Sequence, residues 1–574
     1  MTKLKNKAMR REHISILIII LAVLLVTLPF INKAFNIDDI YVMAFADHLA
    51  ENPFDPYGFQ LDFITGKTTA LSYTDTPLIP LYASFLLKYF GQKEALIHLG
   101  FLIFPLLAGI SMFYFSRQFT RFPIYAALLM IATPTFVVHS HLVMQDIPIL
   151  TLTLLAIAFH IYGVNNNNSK YLAVAAFIAG MAFLVKYSVI ILLLLMVVYS
   201  LMHYKFKALR YMGITLLMIL LFFAHNLYFY GTIHLFHSLF PWLMGGKGIS
   251  AGLIPLLRTL AVLFISSLNY LGGAVFFFPF LIWPFIKQKK KLIGLIIISA
   301  VSLILSIILY AASKNFVSGQ YTFVQLLLFF TFVTSGIFII YAYLADNYRL
   351  IKKLFKSIIS VKIQALNKKE KNVMFLVIWF VVVFVFNFTL AGGSVRYNVL
   401  LLPPFVLLFM SLLDTTLIKS KLHLAFGTIF VTTLILSLGI AFADYQYAET
   451  YRQIPGYFEE YTDNQVFFLG HSGFKYYMEL NGAIFLTSYE GKVKQGDIIV
   501  KAPLANPYKL DQSISENIAL NNIIEFNTKF PLRTLNSEAH AGWYNYGAGF
   551  LPFSISNAPL EKFEIYTVQK DFEK

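Results

Sequence analysis

A chain of 574 residues in which 58% are apolar, 13% are charged and none is cysteine has a membrane composition, because soluble domains run at about half apolar and a quarter charged. A single water-soluble core, a disordered tail protein and a disulfide-stapled module are excluded, as are thiol catalysis and cysteinyl metal sites. The formal charge of +16 is uneven: residues 1–443 carry 34 Lys and Arg against 13 Asp and Glu, while residues 444–574 carry 11 against 16. The basicity therefore belongs to the membrane region and reads as a loop-topology signal before it reads as a nucleic-acid surface.

Apolar stretches of roughly 17 to 25 residues are long enough to cross a bilayer as helices. In chain order they predict about 13 spans: 14–31, 97–115, 123–138, 147–162, 171–185, 188–203, 211–228, 262–286, 292–311, 320–344, 372–390, 398–413 and 422–443. With the N-terminus inside, the inner segments hold 25 of the Lys and Arg residues of the membrane region and the outer segments hold nine, which orients the protein. Lys352, Lys353 and Lys356 belong to that inner signal. The first span lacks a small-residue cleavage site, so a retained signal anchor in the plasma membrane is expected. The run Asn165 to Asn168 is read as an inner turn.

An odd number of spans puts residues 444–574 outside, as a unit separate from the membrane region, residues 1–443. There the pattern changes to short strands around Gln465–Leu469, Asp497–Val500 and Phe563–Val568, with helical spacing at Phe474, Tyr477 and Met478 between the first two. The expected architecture is thus a polytopic α-helical membrane protein with a C-terminal soluble α/β domain. His471-Ser472-Gly473 lacks the pattern of a nucleophile elbow and reads as a strand-to-helix turn.

The outer loop 32–96 is too long to be a plain connector. Ile37, Ile40, Tyr41, Ala44, Phe45 and Leu49 form one helical stripe, with Asn36 placed to cap it and Asp38 and Asp39 in its first turn. A second helix starts at Thr76-Pro77, just after Asp75. Both read as surface helices lying along the membrane. Helix-end charge alone accounts for the two acids locally, but the same rim receives His139, His141 and Asp146 from the next outer turn. Lys186 and Tyr187 arrive from the turn after that, and Arg396 and Tyr397 before span twelve. Ionisable groups at the edge of hydrocarbon need partners or a water-filled cavity. A cleft with carboxylates on one side and cations on the other suits one reaction class: a carboxylate takes the proton of an attacking hydroxyl, and cations hold a phosphate as it leaves.

In order along the chain, Phe35-Asn36-Ile37-Asp38-Asp39-Ile40-Tyr41, Thr76-Pro77-Leu78-Ile79-Pro80-Leu81-Tyr82, Asp146-Ile147-Pro148, Gly180 to Tyr187, and Arg396-Tyr397 with Leu400, Pro403 and Pro404 resemble a family's motifs. That family is the GT-C glycosyltransferases of family 39, the protein O-mannosyltransferase and lipid A aminoarabinose transferase type. The resemblance implies a polyprenyl-phosphate-sugar donor, an acceptor hydroxyl on protein, lipid or glycan, and inversion at the sugar. It implies Asp38 as the base, Asp39 and Asp146 as further acidic site residues, and Lys186, Arg396 and Tyr397 at the donor phosphate. The pair here is Asp-Asp where the family has Asp-Glu. Thr76 and a single adjacent proline stand where relatives often show a basic residue or His and two prolines, which leaves donor-head contacts and any metal at Asp75 open; Asp75 stays a candidate acceptor or metal residue.

His139 and His141, with His234 and His237 in the next outer loop, are the other divalent-metal candidates, although interfacial histidines have the same spacing. Lys186 also fits a snorkelling lysine. The rival function is a multispan transporter or lipid flippase, which calls for broken or ionisable sites near mid-bilayer. A structural envelope protein is the third reading. Membrane lipid and a lipid-linked sugar are the expected partners, nucleic acid is not.

Overall fold

The computed structural model describes residues 2–63, 66–239, 253–275, 289–312, 320–359, 366–387, 393–416, 419–458, 464–506 and 512–574. Residues 276–286 of the eighth expected span, and Gly392 before the arginine motif, lie outside these ranges. Eight of the described helices are long and apolar enough to cross a membrane, from Met9–Phe30 to Leu422–Phe458. Shorter apolar helices, among them Leu78–Phe90, Pro123–Ala132, Ser169–Phe183 and Tyr187–Met202, accompany them.

Breaks in these helices follow the sequence. Pro134 lacks an N–H and pushes Thr133 out of the helical region, so the stretch expected as one span at 123–138 is two helices, Pro123–Ala132 and Pro134–His139. Thr133 stands extended at ψ 142° and its hydroxyl accepts the Phe136 N–H, restarting the helix. The asparagine run is a compact joint. Asn167 closes one helix at φ +50°, and the Asn168 side chain accepts the N–H groups of Lys170 and Tyr171 to open the next.

The loop 32–96 folds back against the protein. Its first helix runs from Asp39 to Glu51 and buries Ile40, Tyr41, Val42, Met43, Phe45 and Ala46. Apolar positions on more than one face mean that it is sandwiched, not laid on a surface as the stripe suggested. A hairpin pairs Gln60–Phe63 with Gly66–Thr69, and the second helix is Leu78–Phe90.

The last membrane helix, Lys419–Gln453, runs ten residues past the expected domain boundary at 443. Asp444, Tyr447, Ala448 and Tyr451 form a buried helical stripe there, which keeps the helix going. Beyond it lies a five-stranded sheet in the order Ile484–Phe485, Val466–Leu469, Ile498–Lys501, Glu561–Val568, Ile518–Phe526. The first three strands are parallel and the last two pairings antiparallel. Alternation fills both faces: Phe467, Leu469, Ile499 and Val568 pack in one small core, while Phe468, Val500, Phe563 and Ile565 join the main core of the protein. Phe563 and Phe474 pack toward Tyr451 of the long helix, so the C-terminal unit is seated on the helical region through its sheet face.

Two contacts of this unit reach the segments around Phe35 and Gly393. The helix Ser472–Leu480 approaches so closely that a Cβ on Gly473 would collide with the Phe35 carbonyl oxygen. The Phe35 N–H donates to the Tyr477 hydroxyl at 2.9 Å. On the other side, Gly393 stands at φ +60° with the Tyr546 ring where its Cβ would be. Val395 N–H donates to the Trp543 carbonyl at 2.9 Å, and Tyr546 N–H to that of Gly393 at 3.1 Å. Only glycine satisfies both the backbone conformation and the ring at position 393.

Candidate functional site

Between these anchors lies a cleft of about 80 Å³ lined by Asp38, Tyr73, Thr74, Asp75, Gln145, Asp146, Lys186, Arg396 and Tyr397 among others. Six of the nine site residues singled out from the sequence are therefore brought together, from segments as far apart as 38 and 397.

Asp38 arrives on a strained turn. Ile37 holds φ +53°, a conformation that β-branched residues seldom adopt, and the turn sends the two consecutive acids in different directions. The Asp38 side chain is 28% exposed and pairs with the Arg396 guanidinium. Asp39 is 0% exposed and absent from the cleft wall. Its Oδ2 accepts the Asn36 N–H at 3.1 Å and its Oδ1 the Val143 N–H at 2.7 Å. The expected cap is thus reversed: Asn36 offers its backbone to Asp39 and does not cap the helix with its side chain. Burial pushes the Asp39 carboxyl up to about 7, against the pull of Lys33 and the two N–H donors. By bonding Val143, Asp39 ties the segment before Asp38 to the segment that leads into Gln145 and Asp146.

Asp146 opens the helix Asp146–Asn166 and is 4% exposed in its side chain. Its Oδ1 accepts from Lys186 Nζ at 3.0 Å, and its Oδ2 has no protein partner. Lys186 sits in extended conformation between Ser169–Phe183 and the turn Tyr187–Val189. Arg396 and Tyr397 lie in a 3-10 segment, Val395–Leu401, just past the glycine held by Tyr546. The Tyr397 ring is 5.5 Å from Lys186 Nζ and 5.2 Å from Arg396 Cζ, close enough to favour both cations. Asp75 completes the wall. Burial first, and then the nearby Asp38 charge, push its carboxyl up to about 7, with Lys186 and Arg396 pulling the other way.

The histidines go elsewhere. His139 is buried against Trp543, with Nδ1 on the Thr135 carbonyl. His141 lies against Phe30 with Nε2 on the Val26 carbonyl, and burial lowers its pKa to about 3. Neither lines the cleft. Among the described residues no three His, Asp or Glu side chains are grouped to hold a metal ion. Tyr73, Thr74 and Gln145 line the cleft without having been singled out. Their signal was adjacency to Asp75 and Asp146, which does not distinguish a wall residue from a connector.

The cleft presents two cations and three carboxylates, one of them titrating near neutrality, at the mouth of a helical bundle. Such a set can hold an oxyanion, share it between guanidinium and ammonium, and accept a proton beside it.

Residues 74–229 match the family described as dolichyl-phosphate-mannose-protein mannosyltransferase. The match takes in Asp75, Asp146 and Lys186 and leaves Asp38 and Arg396 outside. No curated protein matches in sequence. Two crystal structures of ArnT from Cupriavidus metallidurans resemble the chain at 13% identity. The apo form does so at TM-score 0.34, over 87% of this chain and 94% of that one. The form bound to undecaprenyl phosphate does so at 0.33, over 85% and 92%. Likeness at that score is similarity only.

Proposed function

We propose that this chain, a glycosyltransferase of the GT-C class, transfers a sugar from a polyprenyl-phosphate donor to an acceptor hydroxyl at the outer face of the plasma membrane. The single observation that supports this is the pairing of Asp38 with Arg396 in a cleft that also holds Lys186, Tyr397, Asp75 and Asp146. Arg396 and Lys186 hold the donor phosphate. The acceptor oxygen attacks the anomeric carbon, its proton passes to Asp38, and the carbon–oxygen bond to phosphate breaks, so that the negative charge leaves on the polyprenyl phosphate under the two cations. One displacement inverts the anomeric centre. In this reading the N-terminus lies inside, residues 444–574 lie outside, and Asp39 acts by bracing Asp38 rather than by touching the substrate.

Reconstitution of the full chain with polyprenyl-phosphate sugars, followed by measurement of transfer, tests the proposal. Transfer to a hydroxyl acceptor with inversion is expected. Flux of a solute or lipid with no transfer from any donor would instead support the transporter reading.

A pH effect follows from Asp75. A phosphodiester does not titrate between pH 6 and 8, so a change in donor affinity over that range belongs to the protein. Below about 7 Asp75 carries a proton; above it a third carboxylate faces the phosphate. The donor KM is expected to rise severalfold as pH passes upward through about 7, and Asp75→Asn should keep it low throughout. A KM profile in Asp75→Asn that rises like the wild type would assign the titration to another group.

A further inference from the structure

His234 lies outside the cleft and outside the matched segment 74–229, in the loop after the helix Met212–Tyr230. It is 0% exposed, yet it makes three ordered contacts with the residues that carry the cleft. Nε2 is 2.7 Å from the Tyr73 carbonyl oxygen, and a carbonyl only accepts, so Nε2 carries the hydrogen. In the neutral ring Nδ1 is then an acceptor, and the Tyr187 hydroxyl donates to it at 2.6 Å. Burial lowers the pKa to about 4 and keeps the ring neutral. Tyr57 stacks flat on the imidazole, with centroids 4.1 Å apart and 6° between planes. The Tyr57 hydroxyl donates to the Asp75 carbonyl at 3.1 Å.

The ring therefore spans two walls. Tyr73 and Asp75 belong to the wall ahead of the helix Leu78–Phe90, and Tyr187 immediately follows Lys186. Two hydrogen bonds of opposite direction on one rigid five-membered ring set the separation of those walls on the side of Tyr73 and Tyr187, as the Leu78 N–H on the Leu184 carbonyl does at the helix start. The Tyr57 stack fixes its tilt.

We propose that His234 is a positioning residue of the transfer reaction, a strut that sets the distance between Asp75 and Lys186 across the cleft. This rests on the transfer reading above. Without the strut, only the Leu78 N–H on the Leu184 carbonyl, at 2.9 Å, still ties the two walls near Lys186, so Lys186 shifts toward Asp146 and more water reaches Asp75. Errors in placement of about 1 Å lower rates by up to about 10²-fold.

The test compares the full chain as wild type, His234→Ala, His234→Gln and Tyr187→Phe, reconstituted with the donor that wild type uses. His234→Ala is expected to lower kcat/KM for the donor at least about tenfold, and to move the pH at which donor KM rises to below 7, because a hydrated Asp75 ionises earlier. His234→Gln keeps one donor and one acceptor and should restore part of both. Tyr187→Phe, which removes only the hydroxyl, should fall between and serves in place of His234→Ala if that variant does not fold. Carbodiimide labelling of Asp75, read by mass spectrometry against pH, reports the same shift without any turnover. A His234→Ala or Tyr187→Phe protein with the wild-type labelling midpoint overturns the strut, whatever happens to its melting temperature. A wild type that transfers nothing overturns the transfer reading, and the labelling arm still decides the strut.

Discussion

Asp38→Asn is expected to reduce transfer by about 10²- to 10⁴-fold, the contribution of a positioned general base, while donor KM stays within a few-fold of wild type. Asparagine keeps the size of the side chain and an oxygen for Arg396, so the arginine loses a charge partner without losing a contact. What it cannot do is take the proton of the incoming hydroxyl. The loss therefore falls on kcat, the signature of an interaction made only in the transition state. Removing this charge also removes one of the two carboxylates that raise Asp75, so the rise in donor KM should move to lower pH in the same variant. Steady-state kinetics at several pH values with a defined lipid-linked donor would show both effects. Wild-type turnover in Asp38→Asn would reject Asp38 as the base, and Asp75 would be the next carboxylate to examine.

Asp444→Ala is expected to cost about 3 to 5 kcal/mol of stability, the usual result of leaving one member of a buried ion pair alone. Lys33 and Asp444 form a pair in which both side chains are 1% exposed. Asp444 also accepts from the Tyr544 hydroxyl at 2.7 Å and the Thr534 hydroxyl at 3.2 Å. One carboxylate thus joins the segment after the first membrane helix, the long helix Lys419–Gln453 and the C-terminal unit. Alanine strands the Lys33 ammonium and two hydroxyls together. The paired change Lys33→Met with Asp444→Leu should recover most of the loss, since apolar packing often matches a buried pair in stability. Thermal unfolding in detergent across this double-mutant cycle measures it, and a single variant within about 1 kcal/mol of wild type would mean that water reaches the pair.

The sequence shows clearly where charge meets hydrocarbon. Asp146, Lys186, Arg396 and Tyr397 are each conspicuous as an ionisable group, or its aromatic neighbour, at a span end, Asp38 and Asp75 as acids beside the helices of the long loop, and topology carries them to one rim. The reason Asp38 and Asp39 differ is not legible, because it lies in the backbone at Ile37 and in a partner, Val143, more than a hundred residues away. His139 and His141 sit at the rim by position, but Trp543 and Phe30 cover them, and nothing local announces a cover contributed by another segment. The strands at Val466–Leu469, Ile498–Lys501 and Glu561–Val568 stand out by their apolar runs. Ile518–Phe526 does not, since it is an edge strand whose residues are mostly exposed and whose apolar run is broken by Asn521, Asn522 and Glu525.

The arginine of the cleft stands three residues after Gly393, a glycine pressed against the ring of Tyr546, and Asp38 stands three residues after Phe35, whose amide is bonded to Tyr477. Both halves of the charge pair are thus fastened by residues translated after either of them, Tyr477 and Tyr546. A nascent chain that has emerged only as far as Tyr397 already carries every charged residue of the pocket but lacks these two fastenings. The pocket is therefore expected to reach its full shape only after Tyr477 and Tyr546 have been added, which separates insertion into the bilayer from completion of the site.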